Sequence, residues 1–132
     1  MVNLTIPGEP VAKGRPRVCK FGTFTQVKTV NYETLIKELF IISKQNPLGG
    51  MLKAEIDCYF GITKSTSKKN ASLMLSNDVR PVKKPDTDNL GKICLDALNG
   101  LAYKDDSQVV CLHVNKWYSD KPRVEILITE VV

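Results

Sequence analysis

The chain reads as a small α+β domain, with a mixed β-sheet and two α-helices packed on one of its faces. Three observations predict this. Leu52 to Ile62 alternates, with Leu52, Ala54, Ile56, Cys58, Phe60 and Ile62 on one side and Lys53, Glu55, Asp57 and Tyr59 on the other, the pattern of a strand with one buried face. Two segments instead repeat their apolar residues at helical spacing. The other apolar runs are short, lie at both ends of the chain and are bounded by Pro, Gly, Asp and Ser. At 132 residues with 42% apolar side chains, the chain has the size and core of one domain, and residues 1–132 are assigned to it.

The elements follow in order. Val2–Ile6 alternates as a strand, and Pro7 and Gly8 stop it. Lys13-Gly14-Arg15-Pro16-Arg17 is an extended basic stretch, because Pro16 biases Arg15 away from helix. Arg17 to Gln26 has the form of a hairpin turning at Lys20-Phe21-Gly22. Thr29 or Asn31 is placed to cap a helix running to about Gln45, with Leu35, Ile36, Leu39, Phe40 and Ile41 or Ile42 as its stripe. After the Leu52–Ile62 strand, residues 63–85 form the one long polar connection, in which Leu73, Met74 and Leu75 can make a single helical turn. Leu90, Ile93, Cys94, Ala97 and Leu98 define a second amphipathic helix, which Asn99-Gly100 closes. Val109–Tyr118 and Arg123–Val131 are strands, and the turn Ser119-Asp120-Lys121-Pro122 between them predicts a hairpin.

Composition narrows the function. No apolar run approaches the roughly 20 residues of a membrane span, and the N-terminus lacks the basic and apolar regions of a signal peptide. Cys19, Cys58, Cys94 and Cys111 are scattered, as reduced core thiols of a cytoplasmic protein would be. His113 is the single histidine, which argues against chemistry built on a histidine base; a zinc site would need Cys111-x-His113 plus distant partners. The net charge is +5. Val11–Lys28 carries five basic residues and no acid, and Lys64–Lys84 carries six against Asp78 alone. Each basic run is read either as a solvated loop or as a grip on a phosphate backbone.

The acids decide between those readings. Asp86 and Asp88 flank one residue at the start of the second helix, Lys92 lies four residues after Asp88, and Asp105-Asp106 precedes a strand. Either acid at the helix start can be an N-cap, and Asp105-Asp106-Ser107 can be an ordinary turn. Two carboxylates at one helix start, with a third acid pair nearby in sequence, also suit a divalent cation. Lys92 is then either a surface partner of Asp88 or Asp96, or a charge offered to the transition state. Asn89 can donate to a phosphate oxygen, and Asp96, two turns into the helix, is read as structural.

These residues resemble the RusA family of Holliday junction resolvases. The family pattern Asp-x-Asp-Asn-Leu-x-Lys, Asp-Ala-Leu and Asp-Asp-x-Gln-Val stands here as Asp86–Lys92, Asp96–Leu98 and Asp105–Val109. The match is strong over about residues 83 to 110 and weaker towards both ends. The resemblance implies a RusA-like α+β fold and a homodimer acting on four-way junction DNA in recombination and repair, in a phage or prophage setting. It implies Mg²⁺, or Mn²⁺, held by Asp86, Asp88 and Asp106 with Asp105 adjacent, Lys92 as the catalytic lysine, and products with a 5′-phosphate and a 3′-hydroxyl. Arg15, Arg17, Lys68, Lys69, Lys83, Lys84 and Asn89 are the expected nucleic-acid contacts. The chain departs from the pattern at Pro85, where the family often has a basic residue, and in a longer 63–85 segment. Two other readings remain: a nucleic-acid-binding module whose acids are structural, and a nuclease for forks or flaps.

Overall fold

The computed structural model describes residues 1–14, 17–20, 22–24 and 27–132, with residues 17–19, 23 and 24 described by their backbone. The elements are β1 (Val2–Pro7), β2 (Arg17–Cys19), β3 (Gly22–Phe24), α1 (Val27–Ser43), β4 (Leu52–Gly61), α2 (Lys68–Leu75), α3 (Thr87–Leu98), a 3₁₀ turn (Asp106–Gln108), β5 (Val109–Ser119) and β6 (Arg123–Glu130). This is the expected α+β architecture: a four-stranded mixed sheet in the order β1-β6-β4-β5, with three helices. β2 and β3 pair separately as the expected hairpin, with Cys19 opposite Gly22, while Phe21 of its turn lies outside the described residues.

β4 is one of the two inner strands. Its even-numbered residues Leu52, Ala54, Ile56 and Cys58 are fully buried, as their alternation requires. Ile36 and Phe40 of α1 and Leu90, Ile93, Cys94, Ala97 and Leu98 of α3 join them in one core with Val2, Leu4 and Ile6 of β1 and Val124, Ile126 and Ile128 of β6. Burial pushes the Cys58 thiol up to about 12 and the Cys94 thiol higher still, so both are inert core residues.

Four expectations are corrected. β5 and β6 do not form a hairpin. β4 lies between them, antiparallel to β6 and parallel to β5, and residues 120–122 cross over its end. Turn chemistry alone does not say whether the flanking strands are neighbours, and Gly61 at the end of β4 leaves room for the crossing: an added Cβ there would lie 3.1 Å from Pro122 Cγ. Thr29 is not a cap, because α1 already starts at Val27; Thr29 is buried, and its Oγ1 accepts the Gly14 N–H at 3.0 Å. Ile41 and Ile42 fall outside the buried stripe, since burial at Tyr32, Ile36 and Phe40 follows a spacing of four. In the 63–85 segment, α2 is longer than one turn because the Ser67 side chain caps it, accepting the Asn70 N–H at 3.2 Å.

Two contacts seat α3. At Gly91 the helix runs so close to the sheet that a Cβ would lie 2.9 Å from Val114 Cγ2 and 3.5 Å from Leu112 Cδ2. On its other side, Lys13 ties α1 to α3: its Nζ pairs with Glu33 and, at 3.3 Å, with Asp96, while its backbone N–H donates to the Asn89 carbonyl at 2.9 Å. Burial alone would lower the Lys13 ammonium, but the bonds and charges of Glu33 and Asp96 outweigh it and raise its pKa.

Gly91→Val should therefore push α3 off β5 and cost about 1–3 kcal/mol in urea unfolding, where an exposed helical glycine would gain stability instead. Lys13→Met should cost about 1–2 kcal/mol, less than a fully buried pair because the side chains keep some solvent. Because the Lys13 pKa is raised in the fold, its contribution is complete below the ordinary value of 10.5 and is lost as pH climbs through the raised value. Unfolding measured on both sides of that value should show a fall in stability that Lys13→Met lacks.

Candidate metal and nucleic-acid site

Asp86 stands at the N-cap of α3 with extended backbone, φ −76° and ψ 151°, and its carbonyl accepts the Leu90 N–H at 3.1 Å. Its carboxylate makes no capping bond. Among the described residues, the side chain at the position best suited to cap the helix is thus uncommitted, and Asp86 and Asp88 in the first turn are both exposed. The positive end of the α3 dipole supports negative charge here. Two exposed, unspent carboxylates fit a hard divalent cation, which takes oxygen ligands and keeps several of its waters.

Lys92 is one turn further on. It pairs with Asp96, Nζ to Oδ2 at 3.5 Å, and not with Asp88, although its side chain is 60% exposed. Asp96 thus anchors Lys13 and Lys92 together, in line with its structural reading.

Asp105 and Asp106 separate by role. Asp105 caps the 3₁₀ turn: its carboxylate accepts the Ser107 N–H at 3.1 Å and the Ser107 hydroxyl, and its own N–H donates to Gln108 Oε1 at 3.0 Å. Those Ser107 bonds hold its carboxyl below the ordinary value. Asp106 is left without a capping duty, half-buried beside Tyr103.

The structure does not bring Asp105 and Asp106 to Asp86 and Asp88. Lys116 near the end of β5 donates to the Lys83 carbonyl just before α3, whereas Asp106 leads into the start of β5, where Gln108 donates to the Gly50 carbonyl. The two acid pairs therefore sit at opposite ends of α3, and twelve helical residues span about 18 Å. Among the described residues no three potential ligands gather around one point.

A cleft of about 670 Å³ opens beside Asp86, lined by Asn89, Pro85, Lys84, Lys28 and the backbone stretch that holds Pro10, Val11, Ala12 and Gly14. It brings Asn89 and Lys84 of the expected contacts to Asp86. Lys28, noted only as one member of a basic run, joins them because α1 starts earlier than its apolar stripe suggests. Lys83 lines the next cavity along; Lys68 and Lys69 are exposed on α2 and line neither. Arg15 and the Arg17 side chain lie outside the described residues. No helix among the described residues is long and apolar enough to cross a membrane.

The chain is similar to known proteins along nearly its whole length. A protein of Bacillus subtilis (strain 168), named Uncharacterized protein YqaN, is 39% identical over 141 aligned positions, covering 98% of this chain and 96% of its own. The family model described as Endodeoxyribonuclease RusA matches residues 7–129, a span that holds every acid and lysine of the site. The chain belongs to the RusA endodeoxyribonuclease family.

Proposed function

We propose that this protein is a metal-dependent endonuclease that resolves Holliday junctions by paired symmetric nicks in DNA recombination and repair. One observation carries the reading: the N-cap carboxylate of α3 is left free of capping and, in a chain of the RusA family, borders a cleft with two lysines. Asp86 and Asp88 would hold Mg²⁺ or Mn²⁺. A bound ion of this kind lowers the pKa of a water and neutralises charge on the phosphate. Lys28, Lys84 and Asn89 would hold the strand through its phosphates, with Arg15, Arg17, Lys68, Lys69 and Lys83 as outer contacts. Lys92, released from Asp96 or shared with it, would offer its charge to the phosphate in the transition state.

The third acid bears on the assembly. Asp106 of the same chain is too far along α3 to share an ion with Asp86, so a second copy would supply it. The first half of β5 is a sheet edge with Val110 and Leu112 exposed, and it begins just after Asp106. Antiparallel pairing of two such edges would carry Asp106 of one copy towards the Lys116 level of the other, beside its Asp86. A two-fold dimer of this kind has two equivalent centres for two symmetric strands.

Mixed dimers test this. Asp88→Asn and Asp106→Asn should each lower Mg²⁺-dependent junction cutting by at least the roughly 100-fold that even outer partners of a metal ligand can cost. Mixed together, the two inactive proteins should regain nicking of one strand, because each mixed dimer holds one intact composite centre. A mixture that stays inactive while sedimenting as a mixed dimer would sink the shared centre, and near-native cutting by Asp88→Asn alone would sink the metal assignment. A panel of junction, fork, flap and duplex read in the same assay separates junction resolution from other structure-selective cutting.

A further inference from the structure

A second cavity, of about 410 Å³, lies beneath α2 at the end of the sheet. Neither the core nor the acid site explains it. α2 buries none of its residues, yet the chain caps this helix and holds the segment that follows it. Arg80 stacks on the Trp117 ring at 3.8 Å and donates to the Lys116 carbonyl at 2.9 Å, and Lys116 in turn donates to the Lys83 carbonyl at 2.6 Å. These bonds fix the far wall of the cavity.

Its lining has the chemistry of a base pocket. Phe60, Tyr118 and Met74 present two aromatic rings and a thioether, which suit the face of a nucleobase. Thr63 and Thr66 add hydroxyls, and Glu9 adds a carboxylate. Glu9 Oε1 accepts the Gly61 N–H at 2.8 Å, the one bond this carboxylate makes among the described residues. Its other oxygen can therefore accept from an amino group on a base edge. The volume falls within the range of small-ligand sites. Lys84 lines both this cavity and the cleft at Asp86, so one strand can lie across the two with a phosphate on Lys84.

We propose that the cavity beneath α2 receives one unstacked nucleobase next to the scissile phosphate, and so sets the sequence at which the strand is cut. The proposal rests on the nuclease reading above, and its test separates the two. Four-way junctions carrying 5-iodouracil at successive positions around the exchange point are bound to full-length Asp88→Asn protein in Mg²⁺ and irradiated, and the cross-linked peptides are identified by mass spectrometry. A cross-link from one position beside the cut to Tyr118, Phe60 or Met74 is expected. In the wild-type background, Tyr118→Ala should reduce the ratio of cutting between the best and worst sequences at least tenfold. Glu9→Gln, which keeps the bond to Gly61, should change which base is preferred. Bound junction that cross-links only elsewhere, or wild-type base preference in both folded variants, overturns the proposal. Cross-linking in the cavity without cutting of any substrate by the wild-type protein keeps the pocket and overturns the nuclease reading.

Discussion

The candidate site depends on how α3 lies against the sheet. The helix has five apolar residues on one face, and all are buried over β4 and its neighbours. Gly91 lets it approach Val114 more closely than any side chain would allow. With that face committed to the core, the first turn must project beyond the sheet, and Asp86, Asp88 and Lys92 go with it. Lys13 fixes the remaining freedom by joining α3 to α1 through Asp96 and Glu33. The acids are therefore carried on a helix held from two sides, which suits a centre that must keep its geometry while a large substrate binds.

The same seating explains why acids close in sequence are far apart in space. α3 runs back along β5, so a residue before the helix and a residue after it reach opposite ends of the sheet. Proximity in sequence suggested one cluster; the length of the helix separates it into two. Asp105 and Asp106, adjacent and chemically alike, also part company, since one is spent on the capping box with Gln108 and the other is not. The proposed shared centre follows from this spacing, with Asp106 supplied by a second copy.

Much of this was legible in the sequence, for identifiable reasons. The β4 alternation and the α3 stripe were clear because a period of two or of about 3.6 is imposed directly by burial. The motif Asp86–Lys92 was clear because its residues lie on one helix and keep their spacing in any fold. What was not legible depends on contacts distant in the chain. The insertion of β4 between β5 and β6 leaves no mark on the turn at 119–122. Thr29 has the residue type of a cap, but Gly14 claims it. Lys13 looked like one more charge of a basic run, and only the fold places two carboxylates around it. The wall formed by α2 was hidden for a similar reason: Ser67 could have signalled the helix start, but the anchoring of Arg80 on Trp117 could not be read from either residue.

The central claim is that the acids at the start of α3 form a metal centre acting on junction DNA and are not simply the ordinary charges of a helix terminus. Cleavage of an end-labelled synthetic four-way junction tests it most directly, with Mg²⁺ and with EDTA, beside the matched linear duplex and the Asp88→Asn variant. The account predicts paired nicks at symmetric positions in the junction that require both the metal and Asp88, with the duplex left intact and the variant still binding. Tight junction binding with no cutting in either Mg²⁺ or Mn²⁺ would contradict it and leave Asp86 and Asp88 as charges that complement the helix dipole.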